Sequence, residues 1–276
     1  MMLATIKWFE FTDFRTGSPE SVAGLPVLQS MSNKFKAVLE EDMKINSPQK
    51  TARVAAFVFL IIFFLGMSTE LFIRPGMIVP GDAAATVRNI AASEALFRLS
   101  LVSDLIRQVL LMALTLILYK ILKPVNKTTA ALMVIFYLVC VPVSMLNELN
   151  HLAVLLLSSG AGYLTAFKAD QLNALVMFFL DLRKYGTFIP QFFSFWLLLL
   201  GYLVFKSGFL PRILGILLML VGLCNTVLAV LFFLFPTFDA TIFGLFAFIG
   251  EALFYLWLLI KGVNVEEWEK RGLEST

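Results

Sequence analysis

Four carboxylates and a single histidine stand within or at the rim of long apolar runs: Glu70, Asp104, Glu148, Glu251 and His151. An ionised side chain at the middle of a bilayer costs roughly 2.5–3.5 kcal/mol on insertion scales, so each such residue is a functional candidate by default. Ser144, Glu148 and His151 follow one another at i, i+4 and i+7, which places them on one face of a helix. A carboxylate and an imidazole so spaced can share a proton, act as acid and base on a substrate, or hold an ion or polar ligand. Asn147 beside them, Glu251 in the last apolar run and Asn225 in the run before it complete a candidate ligand- or ion-binding set at about mid-depth, judged from helix rise. Asp104 and Arg107 stand at i and i+3 and can offset one another, with Glu70 near the same surface; these three form a candidate structural ion pair.

Only Arg107 and His151 face the carboxylates from inside the runs. Glu148 and Glu251 are therefore expected to lack cationic partners, and so to carry a proton, share one with His151, or hold a bound cation. A plainer role stands beside these. Buried Glu, Asn and His also serve as hydrogen-bonding glue between membrane helices, worth about 0.6 kcal/mol per pair.

Known catalytic and metal patterns find little support. Glu148 and His151 form one Glu-x-x-His, whereas di-metal bundle sites need two such motifs and further Glu residues. One histidine without a Cys/His cluster does not make a zinc site, and no metal or catalytic residue is assigned. Phosphate-binding loops, dinucleotide fingerprints and nucleophile elbows are missing from suitable contexts, so no cofactor is named. Cys140 and Cys224 lie in apolar runs without a Cys-x-x-Cys pair and read as packing residues.

The elements that must position these groups follow from composition. Of 276 residues, 59% are hydrophobic and only 15% charged, with 28 Phe and a mean hydropathy of +0.87, against about 25% charged in soluble domains. Several separate apolar runs are long enough to span a bilayer, which needs about 20 residues each. The expected fold is an all-α polytopic membrane bundle of six transmembrane helices with two external amphipathic helices.

The spans are read at about 54–72, 99–122, 130–157, 188–205, 213–235 and 240–260. An Ala-rich surface helix, 83–97, capped by Asp82, precedes the second span. A segment at 163–185, with Leu172, Leu175, Val176, Phe179 and Leu180 at helical spacing against many charges, reads as an interfacial amphipathic helix before the fourth. No unwound mid-span helix is signalled. Residues 1–45 read as a disordered tail or the product of an upstream start codon, with Met31 and Met43 as alternative starts, and 266–276 as a polar tail.

Six spans put both termini on one side. All but seven of the 22 Lys and Arg fall there, the seven being Arg74, Arg88, Arg98, Arg107, Lys168, Arg183 and Lys184. The positive-inside rule makes that side cytoplasmic. A net charge of +3, scattered over short loops, excludes nucleic acid as a partner and leaves membrane lipid and a small-molecule or ion ligand. Three spans followed by three of opposite orientation is also the parity of an inverted-repeat transporter. Gly222 and Thr226 have the spacing that permits a close helix crossing.

Several stretches carry a resemblance: Val79-Pro80-Gly81-Asp82-Ala83-Ala84-Ala85-Thr86, Ser93-Glu94-Ala95-Leu96-Phe97-Arg98, Leu157-Ser158-Ser159-Gly160-Ala161-Gly162-Tyr163, the run Leu200–Arg212, and Gly250-Glu251-Ala252-Leu253. In order and spacing, from about Ser47 to Trp268, the chain resembles the membrane family known as domain of unknown function 4386. The resemblance implies a bacterial inner-membrane, multi-span protein and supplies no catalytic motif. The residues themselves favour a protein that binds or moves a small molecule, ion or proton through an outward-facing polar pocket. The alternatives are a membrane enzyme acting on a lipid or redox substrate, or a structural subunit.

Overall fold

The computed structural model describes residues 47–192, 194–235 and 241–274. The expectation for residues 1–45 lies outside these. Ser47 caps the first helix by accepting from the Lys50 N–H, and Pro48 takes the first helical position, where its missing N–H costs nothing.

In chain order the helices are α1 (Pro48–Met67), α2 (Ala83–Ala92), α3 (Glu94–Leu122), α4 (Lys127–Asn147), α5 (Leu149–Leu157), α6 (Ala169–Gly186), α7 (Phe188–Phe192), α8 (Phe195–Ser207), α9 (Arg212–Leu234), α10 (Thr241–Ile260) and α11 (Val265–Glu274). No strand occurs among the described residues. Five helical runs are long and apolar enough to cross a membrane. They become six if Gly244–Ile260 and Val265–Glu274, bent by 100°, count as one. The chain is an all-α, multi-pass membrane bundle.

The long helices pack in a closed order, α1–α3–α4–α8–α9–α10 and back to α1. Their inward faces form one apolar core that includes Ala52, Leu118, Met133, Leu200, Leu218 and Phe254. Large apolar side chains such as Phe57, Phe64, Ile135, Ile213 and Leu245 point outward, as lipid-facing surface requires. α8 and α9 approach backbone to backbone: a Cβ on Gly201 would meet the Gly215 carbonyl oxygen at 2.6 Å, and one on Gly222 the Leu198 nitrogen at 2.9 Å. Lipid offers no hydrophobic drive for helix association, and small residues there permit the backbone approach that dispersion needs.

Four segments meet at one end of the ring. Gln49 donates to the Lys261 carbonyl and accepts from the Val263 N–H; the Trp268 indole donates to the Ile121 carbonyl; the Asn264 N–H donates to Phe209. The start of α1, the Lys120–Lys127 turn, the Lys206–Arg212 turn and the C-terminal helix thus share that end. At the opposite end α2 and α6 join α5 through a second apolar cluster of Met77, Ile90, Phe97, Val154, Leu155, Val176 and Leu180.

Several expected elements are interrupted. The surface helix stops at Ala92 rather than Phe97, because Ser93 leaves the helical region and α3 starts at Glu94. The third span runs as one apolar stretch, Lys127–Leu157, interrupted for the single residue Glu148, whose backbone stays in the helical region. Pro142 lies inside α4, and the Asn150 side chain donates to the Asn147 carbonyl at 3.0 Å; that carbonyl is diverted from the helical ladder. α1 runs into a π-helical turn, Ser68–Ile73, and the fourth span is divided between α7 and α8. α8 alone, with 13 residues, covers about 20 Å, less than the ~30 Å hydrocarbon thickness.

Candidate functional site

Two of these interruptions, at the end of α1 and at Glu148, deliver members of one group of side chains. The π-helical turn at the end of α1 carries Glu70 and delivers Arg74; the middle of α3 carries Asp104 and Arg107; the break between α4 and α5 presents Glu148 and His151. α6 brings Arg183, which lies on the apolar face of its helix with Val176 and Leu180. Asp104, Glu148, His151, Arg183 and Arg74 are all buried, His151 to within 1% of full burial.

Arg183 joins the elements. Its Nη2 lies 2.9 Å from Asp104 Oδ2 and 3.3 Å from Glu148 Oε1, and its Nε is 3.1 Å from His151 Nδ1. Arg74 pairs with both Glu70 and Asp104. Arg107 stands further off, its Nε 3.5 Å from Asp104 Oδ1. Asn147 donates to the Arg183 carbonyl at 3.0 Å and so fixes α6 against the break. The Phe97 ring meets His151 edge-on at 4.9 Å. Burial, followed by the neighbouring Arg183 charge, lowers the Arg74 pKa to about 10 against the opposing pull of Asp104 and Glu148. Arg74 therefore stays charged at neutral pH.

Three carboxylates (Glu70, Asp104, Glu148) thus meet three guanidinium groups (Arg74, Arg107, Arg183). The expectation that Glu148 lacks a cation is corrected, because Arg74 and Arg183, counted among external basic residues, turn inward. Their long side chains carry charge several ångströms from the backbone, and in an apolar surrounding a carboxylate is the most favourable place to leave it.

His151 Nδ1 also lies 2.8 Å from Glu148 Oε2. A guanidinium only donates and a carboxylate only accepts, so this nitrogen faces a donor and an acceptor at once. A single proton between Oε2 and Nδ1 satisfies the Glu148–His151 contact on either atom.

Asp104, Glu148 and His151 each offer one ligand atom within 4.8 Å of the others, the spacing of a metal site. The Arg183 guanidinium, however, sits between the two carboxylates and neutralises them, and a metal ion would have to displace it.

Two cavities flank the cluster. The larger, about 630 Å³, is lined by Glu70, Arg74, His151, Arg183 and Lys184 among others. The second, about 380 Å³, is lined by Arg107, Tyr137, Ser144, Asn147, Glu148 and Gln191 among others. Arg183, Glu70 and Thr187 border both, so the cluster forms the partition between them.

Glu251 and Asn225 line neither cavity. Glu251 is half-buried on α10 and forms no ion pair among the described residues. Arg74, Arg183, Tyr137 and Gln191 were not among the sequence candidates. A signal existed for Arg183, a cation at i+7 from Val176 and i+3 from Leu180 on an otherwise apolar face. Another existed for Tyr137, seven residues before Ser144 on the same stripe of α4.

The family described as Domain of unknown function (DUF4386) matches residues 54–262. An uncharacterized protein of Archaeoglobus fulgidus is 40% identical over 76 residues, which are 28% of this chain and 45% of that relative. The match therefore spans under half of the relative's length. No solved structure matches.

Proposed function

The chain belongs to the Domain of unknown function (DUF4386) family, whose description carries no activity, and from the geometry above we propose that it binds or moves a small polar molecule, ion or proton. The observation that carries this reading is the position of the Arg183 cluster as a shared wall of two cavities. Charged groups gathered only to hold helices would be expected to pack without space beside them. Glu148 and His151, with Oε2 and Nδ1 2.8 Å apart, supply a titratable pair whose charge can change when a ligand or proton arrives, and Asn147 ties them to α6. Glu251 and Asn225 line neither cavity.

The basic turns gathered at the opposite end support a cytoplasmic assignment for that end, by the positive-inside rule. The cavities then open on the outer face of a bacterial inner membrane. A second reading, a structural clasp, is favoured by the even match of carboxylates and guanidinium groups.

Thermal unfolding of purified protein across a panel of small polar compounds separates the two. Saturable stabilisation by a compound, lost in Glu148→Gln while the variant still unfolds cooperatively, supports the pocket. A variant that is merely less stable, with no compound acting on either protein, leaves only the clasp.

A further inference from the structure

Three residues that line the smaller cavity each carry a buried polar atom with no hydrogen-bond partner among the described residues: Tyr137 Oη, Arg107 Nε and Gln191 Oε1. Native interiors rarely leave such atoms unmatched, and each costs free energy unless something meets it. Tyr137 is only 5% exposed, and its ring is held edge-on by Trp196 at 5.3 Å, so its hydroxyl is aimed by packing rather than by another hydrogen bond.

The charge around the cavity is uneven. Glu148 is engaged by Arg183 and His151, and Glu70 by Arg74. Asp104 Oδ2 is already taken by Arg74 and Arg183, leaving Arg107 at 3.5 Å from Oδ1. Of the two guanidinium groups lining this cavity, Arg107 is the more loosely paired: its one ion pair is the 3.5 Å contact with Asp104, and its Nε makes no hydrogen bond among the described residues. The three unmatched atoms call for complementary chemistry: an anionic acceptor for Arg107, an acceptor or donor for Tyr137, and a donor for Gln191. Leu111 and the Trp196 ring supply an apolar wall beside them.

We infer that the Arg107–Tyr137–Gln191 cavity binds a small organic oxyanion that carries its own hydrogen-bond donor, such as a hydroxy-carboxylate or the phosphoglycerol headgroup of a lipid. This rests on the pocket reading above and assigns it a ligand class. Arg107 forms the charge-assisted hydrogen bonds, Tyr137 sets the position of the anion, and Gln191 accepts from the ligand's hydroxyl.

The full chain in nanodiscs of neutral phosphatidylcholine is titrated with lactate, with glycerol 3-phosphate and with uncharged lactamide, and compared with nanodiscs containing phosphatidylglycerol. Saturable stabilisation by lactate or glycerol 3-phosphate, absent with lactamide, is expected, with affinity falling about tenfold or more in Arg107→Gln and partly kept in Arg107→Lys. Tyr137→Phe retains the ring and is expected to weaken binding severalfold without lowering the unliganded melting temperature by a comparable proportion. Stabilisation only by phosphatidylglycerol, with the same dependence on Arg107, supports the inference and identifies the lipid as the source. Lactamide binding as well as lactate, unaffected by Arg107→Gln, overturns the anion assignment and leaves the pocket standing. The absence of any ligand effect in wild type overturns both.

Discussion

Glu148 and Glu251 lie in similar apolar segments, yet the fold treats them oppositely. Glu148 stands at a helix break, within reach of Arg183 and His151, on the wall of a cavity. Glu251 stands on the unbroken helix α10, one residue after Gly250, whose backbone is pressed against the Val221 side chain of α9. It forms no ion pair among the described residues. One end of the molecule brings charges together at interruptions in its helices. The seam of α8, α9 and α10 instead brings backbones together through glycine, with Glu251 beside it. A carboxylate in a membrane helix therefore indicates a site only when the fold also delivers its partner.

The comparison can be broken most forcefully at Arg183. Replacing it with Gln leaves Asp104 and Glu148 short of a cation, and removal of one member of a buried pair costs about 3–5 kcal/mol. Chemical unfolding in detergent is expected to show a loss of that order, partly restored in the Arg183→Gln/Glu148→Gln double variant because one carboxylate goes with the guanidinium. A loss below about 1 kcal/mol, the range of exposed pairs, would mean that the cluster is solvated and that the contrast drawn here is wrong.

The glycine seam predicts a smaller effect of different origin. A Cβ at Gly215 would fall 2.5 Å from the Phe205 nitrogen, so Gly215→Ala is expected to cost about 1–3 kcal/mol by overpacking. Gly244→Ala, where a Cβ meets nothing within 4 Å, is expected to be neutral or stabilising. Equal behaviour of the two variants in the same unfolding assay would sink the proposal that α8 and α9 depend on backbone approach.

The two carboxylates themselves sharpen the comparison furthest, with the smallest changes. Glu148→Gln keeps the shape but loses charge-assisted hydrogen bonds, and is expected to reduce stability by about 1–3 kcal/mol. Glu251→Gln replaces a carboxyl that has no ion pair among the described residues, and is expected to leave stability unchanged or raise it by up to about 1 kcal/mol. Parallel losses from both would place Glu251 in an ion pair after all and erase the distinction.

The sequence by itself determined that this is a multi-pass helical membrane protein, where the apolar runs lie, and that one end gathers the basic turns. It also indicated the amphipathic character of the segment that became α6, and the spacing of Ser144, Glu148 and His151. These are properties of composition and local periodicity, which a membrane enforces because every backbone polar group must be satisfied within its own helix. Only the tertiary structure decided that Arg74 and Arg183 turn inward, that the helix is interrupted at Glu148, and that Glu251 lines neither cavity. Where a long charged side chain ends depends on which helices surround it, and the energy that steers it comes from partners as distant in sequence as the 79 residues between Asp104 and Arg183. Hydropathy averaged along the chain records that a charge is present; the packed neighbours determine what it does.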